Sequence, residues 1–163
     1  MNKIQKKFCT KMTNWFLFKL YAVQKLPLAL LTGFKIIELN ESQCVTRVKY
    51  KYLNKNPFRS TFWAVLGMAA ELSTGAYALL ATKGKDESVA VILVSTRAEF
   101  VKKATDVTTF TCSDWQPFDI AADAAITSNE PQTVKGRSVG LNSDGEKIAN
   151  FEFTWSFKKR QQT

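Results

Sequence analysis

Between Ser60 and Thr82 the chain carries a single charged side chain, Glu71. At helical spacing from it stand Ala64, Met68, Gly75 and Ala78, all small or apolar. A carboxylate held among such groups loses solvation, which disfavours its charged form, and a group perturbed in this way is a useful base. The competing reading is structural: an ion pair with Arg47, Arg59 or Arg97, or a carboxylate reaching solvent at a dimer seam, because ion pairs perturb carboxylates too. Polar groups precede this stretch. Asn56 can position water or a substrate carbonyl through its amide, although Asn before Pro is also ordinary loop chemistry. Arg59 suits a phosphate or carboxylate, or a solvated loop. Ser60 and Thr61 can line a pocket with Ser73, or cap a helix. Phe62, Trp63, Met68 and Tyr77 can wall an apolar pocket, with a plain core role as the alternative.

The 163 residues include no histidine. Ser-His-Asp triads, Cys-His pairs and His-ligated zinc are therefore excluded, and acid/base chemistry falls to carboxylates, Lys, Tyr or water. Cys9, Cys44 and Cys112 are far apart and show no CxxC spacing, so neither a metal site nor a disulfide framework is indicated. Cys9 reads as an exposed thiol, Cys44 and Cys112 as strand residues. A reducing, cytoplasmic setting fits.

These side chains need elements to position them. Residues 12–24 have apolar groups at helical spacing and a cap near Thr13 or Asn14, with Pro27 ending or bending the helix; residues 1–26 form a helical extension. Such a helix suits packing on its own sheet, with a membrane surface as the alternative. Strands follow at 33–40 and 43–53, joined by a turn at Asn40–Ser42. A long helix at 60–80, capped by Ser60 or Thr61, is apolar all round and so must be buried. It is long enough to span a bilayer, but a central Glu is costly in lipid, so no integral membrane segment is expected. Four strands come next, at 88–103, 105–113, 131–141 and 146–158, with a short helical insertion at 117–126. In the last of them Phe151, Phe153, Trp155 and Phe157 alternate with polar residues. The expectation is one α+β domain over 1–163, a curved antiparallel sheet wrapped around the long helix.

The formal charge of +9 favours anionic partners. The basic residues are scattered, without interleaved stacking aromatics, so nucleic acid is not expected.

The stretch Lys55–Ala64, running into Met68-Ala69-Ala70-Glu71-Leu72-Ser73-Thr74-Gly75, resembles the central helix of the hotdog-like domain-of-unknown-function family numbered 4442. The element order and Gly33 ahead of the first strand agree. That family is similar to the acyl-CoA thioesterases. The resemblance implies a hotdog fold, a homodimer or dimer of dimers with sites shared between protomers, and acyl-CoA or a related thioester as substrate. Coenzyme A would enter only as part of the substrate, with no other cofactor and no metal. Glu71 is similar to the helix carboxylate that acts as nucleophile or general base, about three turns in, and the first-turn amides near Phe62, Trp63 and Ala64 to the donors that hold the thioester oxygen. The His-Gly-Gly entry usual in that class is replaced here by Asn56-Pro57-Phe58-Arg59-Ser60. The rival expectation is a non-catalytic acyl- or lipid-binding hotdog module.

Overall fold

The computed structural model describes residues 1–161. Three helices open it: α1 (Lys3–Thr13), α2 (Trp15–Lys25) and α3 (Pro27–Thr32). The helix expected over 12–24 is α2, and α1 precedes it within the helical extension expected over 1–26. The Asn14 side chain accepts from the Phe16 and Leu17 N–H groups, at 3.0 Å each, and so caps α2 where α1 ends. Pro27 starts α3 rather than only ending α2, because the first helical position needs no N–H. Gly33 then closes α3 at φ +75°, where a Cβ would be strained.

Six strands follow: β1 (Lys35–Leu39), β2 (Cys44–Lys49), β3 (Val89–Phe100), β4 (Val107–Cys112), β5 (Gln132–Leu141) and β6 (Lys147–Lys159). They form one antiparallel sheet in the order β1-β2-β4-β5-β6-β3. The long helix, α4 (Trp63–Ala81), lies between β2 and β3 in sequence, and α5 (Trp115–Ser128) between β4 and β5. The insertion is a full helix of 14 residues rather than a short turn. β2 ends four residues early, in a 3-10 turn at Tyr52–Asn54.

α4 begins at Trp63, not Ser60, and neither expected residue caps it. Phe62 holds the cap position without a side-chain acceptor. Ser60 is engaged with Asn56, while Thr61 bridges Lys55 and donates its N–H to Ala104 O at 2.7 Å.

The small residues of α4 let the sheet come close. Thr46 Oγ1 on β2 donates to Ala69 O at 2.6 Å, Ser73 Oγ meets Ser138 Oγ on β5 at 2.8 Å, and Tyr77 OH donates to Asn40 O at 2.8 Å. Phe151, Phe153, Trp155 and Phe157 of β6 are all buried, as their alternation requires. α5 adds Phe118, edge-on to Phe157 at 6.2 Å. Each such ring contributes roughly 1.5–3 kcal/mol of burial. α4 is long and apolar enough to cross a bilayer, but most of it is buried inside the protein.

Two elements depart from this economy. β3 is an edge strand, and every residue from Ile92 to Phe100 is exposed, on both faces. α1 packs beside β1 through Gln5, Cys9 and Met12, so Cys9 is buried rather than an exposed thiol. Cys44 and Cys112 are strand residues and face each other across β2 and β4. Burial raises all three thiols, Cys112 to about 12, so none is a reactive thiolate.

Candidate functional site

Glu71 sits midway along α4, on a face that the sheet does not fully cover. The corner between α2 and α3 closes over it. Lys25, Leu26, Pro27, Leu28 and Ala29, with Phe34, Met68 and Leu72, enclose a largely apolar depression of about 260 Å³ that the carboxylate lines. One turn further along, Gly75 makes room for it. A Cβ there would lie 2.7 Å from Glu71 Oε1 and 3.3 Å from the Trp155 ring, so the carboxylate lies over a bare backbone beside an indole. Trp155 is itself fixed by its Nε1–H donating to Thr74 Oγ1 at 3.1 Å.

Among the described residues Glu71 has no charged partner. Arg97 pairs instead with Glu99 at 3.1 Å on β3, and Arg59 is exposed. Desolvation alone raises the Glu71 carboxyl from 4.5 to about 7. A carboxyl so placed is partly ionised near neutrality and takes up a proton readily.

Met68 joins Glu71 in this depression; the other expected binding residues do not. Asn56, Ser60, Thr61 and Trp63 line a second hollow of about 280 Å³ at the start of α4, with Leu66 and residues 100–104. Asn56 serves its own loop: Oδ1 accepts from Phe58 N at 3.0 Å and Ser60 N at 3.2 Å, and Nδ2 donates to Ser60 Oγ at 3.1 Å. Arg59 holds the left-handed conformation of that turn, φ +59°. The Thr61 hydroxyl is buried without a partner. Phe62 and Trp63 are exposed and stacked edge to face at 5.8 Å rather than packed in the core. Phe62 N–H is spent on Asn54 O at 2.7 Å, whereas among the described residues the N–H groups of Trp63 and Ala64 find no acceptor. Free amides at a helix start favour a developing negative charge.

Eight residues separate Trp63 from Glu71 in α4, about 12 Å along the helix axis. Within one protomer the base and the amides therefore cannot meet one reacting atom. No group of three Cys, Asp or Glu converges among the described residues.

No family model and no curated protein sequence matches the chain. Solved structures do. A protein from Pseudomonas aeruginosa described as a probable thioesterase matches at TM-score 0.75 and 14% identity, over 92% of this chain and 99% of its own. A thioesterase from Haemophilus influenzae matches at TM-score 0.66 and 12% identity, over 93% and 96%. The PaaI protein from the phenylacetic acid degradation operon of E. coli matches at TM-score 0.65 and 12% identity, over 99% of each chain. The chain therefore shares the hotdog fold of these proteins.

The hotdog architecture accounts for what the sequence left out of the site. Leu26, Pro27 and Phe34 come to Glu71 from about 40 residues upstream, because α3 folds back over α4. Trp155 arrives from the last strand, and only its alternation with polar neighbours marked it as inward-facing. Gly75 did carry a signal: a glycine one turn after the only acid of a buried helix leaves space for that acid.

Proposed function

We propose that the protein hydrolyses acyl thioesters, with acyl-coenzyme A as substrate and Glu71 as the catalytic carboxylate. The observation that carries this reading is the unpaired Glu71 carboxyl, raised to about 7 in an apolar depression. The ionised form takes a proton from water, and the resulting hydroxide adds to the thioester carbonyl. The C–S bond then breaks, the acid is released, and the thiolate leaving group receives the proton. Direct attack by the carboxylate uses the same group: the C–S bond breaks as the anhydride forms, water opens the anhydride to free acid and Glu71, and the proton released goes to the thiolate.

The oxyanion would be held by the free N–H groups of Trp63 and Ala64. Since these lie about 12 Å from Glu71 along α4, the reading requires amides from a second protomer. The exposed β3 edge supports that requirement, for continuing the sheet there would pair its open backbone and cover Ile92, Leu93 and Val94. A homodimer follows, with a curved sheet around each α4 and the hollow at Asn56, Ser60 and Thr61 taking the coenzyme side. Lys103, which lines it, suits phosphate, while Lys102 is paired with Glu146 at 2.6 Å. Three unpaired thiols fit a cytoplasmic setting.

One observation favours a second reading. If the chain acts as a monomer, the separation of Glu71 from the amides leaves an acyl- or lipid-binding module without hydrolysis. A panel of short, medium, long-chain and aryl acyl-CoAs separates the two. Native protein should release thiol from at least one member, and Glu71→Gln should lose about 100-fold or more of that rate. Binding of acyl-CoA with no thiol released would establish the binding module instead.

A further inference from the structure

We infer that α2 and α3 form a docking surface for an anionic lipid bilayer, independent of whether the protein hydrolyses thioesters. α2 is apolar on two opposite sides. Phe18 and Ala22 face inward and are buried. Phe16, Leu20 and Val23, at i, i+4 and i+7, point the opposite way and are 58%, 53% and 62% exposed. On α3, Ala29 and Thr32 are buried, while Leu28 and Leu31 are exposed. Trp15 stands exposed at the start of α2 with Lys19 Nζ 4.0 Å from its ring centroid. Exposed large apolar residues concentrated on two successive helices in this way mark a surface for a partner.

Charge identifies that partner. Residues 1–32 hold six lysines, Lys3, Lys6, Lys7, Lys11, Lys19 and Lys25, and no Asp or Glu. Glu71 lies beneath the α2–α3 corner rather than on its outer face, and the carboxylates of the adjoining β1–β2 hairpin are engaged elsewhere: Glu41 with the N-terminal ammonium, and Glu38 with the Asn40 and Gln43 amides at 2.7 and 2.8 Å. A second copy docked face to face here would oppose lysines to lysines, and β3 already offers another surface for a copy. An anionic bilayer matches both properties. Its headgroups neutralise the lysines, whose long stems let the ammonium groups reach outward. Phe16, Leu20, Val23 and Leu31 then enter the acyl boundary, with Trp15 at headgroup depth. The corner between α2 and α3 also walls the Glu71 depression.

Flotation of the full chain with phosphatidylcholine vesicles, with and without phosphatidylglycerol, tests this. The expected result is binding to the anionic vesicles at low salt, its loss at high salt, and no binding to phosphatidylcholine alone. Phe16→Ser with Leu20→Ser should weaken binding about tenfold or more, and Lys6→Glu with Lys7→Glu should weaken it while leaving the apolar face intact. Both substituted pairs are surface groups, and thermal melts matching the native protein confirm intact folding. The inference is overturned if anionic vesicles do not carry the protein at low salt, or if Phe16→Ser with Leu20→Ser floats as well as native. It is overturned equally if that variant lowers the oligomeric state in sedimentation, for then the face is covered by a second copy.

Discussion

Burial alone lifts the Glu71 carboxyl to about 7, and the sign of the consequence for stability follows. In the unfolded chain this group ionises near 4.5, so below that pH it is neutral in both states and costs nothing. As pH rises from 4.5 to about 7 the unfolded state gains by ionising while the native state does not, and stability falls; above about 7 the loss is complete. Glu71→Gln, uncharged throughout, should match native stability near pH 4.5 and exceed it above neutrality by roughly 3 kcal/mol. Denaturant titrations at the two pH values check this. Activity should move the other way: native kcat/KM should rise to a plateau with a midpoint near 7. Glu71 was legible as the only acid in a buried helix. Its isolation from Arg47, Arg59 and Arg97 was not, because pairing depends on where loops and strands lie in space.

At the scale of elements, the start of α4 decides the chemistry. Phe62 lies at φ −61°, ψ 133°, the extended conformation required before a proline, and Trp63 occupies the first helical position, where proline is tolerated. Trp63→Pro should therefore leave the fold intact while removing one free N–H, and thioester hydrolysis should fall about 100-fold. The boundary was misread because Ser60 and Thr61 are good caps by type; the Lys55–Thr61 bridge commits them first. Within the helical extension expected over 1–26, α1 was not read as a helix of its own, for a different reason. Its inward residues are Gln5, Cys9 and Met12, too polar to stand out as an apolar stripe among four lysines. The strands were legible within a few residues, since alternation in β2, β4 and β6 directly records one buried face.

For the whole molecule, the order of helices and strands was readable from sequence and gave the hotdog architecture, because a helix apolar all round admits few arrangements besides a sheet packed over it. Which face of the sheet stays open could not be read. β3 looks like a core strand by composition, yet it lies at the edge with Ile92, Leu93 and Val94 exposed. Such an edge is a template for pairing unless a charge blocks it. Ile92→Asp should shift the proposed dimer toward the 18.4 kDa single chain in sedimentation and abolish the proposed hydrolysis together with dimerisation.

The most direct test of a shared site uses Glu71→Gln, Trp63→Pro and a co-refolded equal mixture of the two. Each variant alone should be nearly inactive. In the mixture half of the dimers pair unlike chains, and each of those carries one site with both its carboxylate and its amides intact, so about a quarter of native activity should return. Native-like activity in Glu71→Gln alone would remove Glu71 from the chemistry, and a mixture no more active than its parts would show that the site is not built between two protomers.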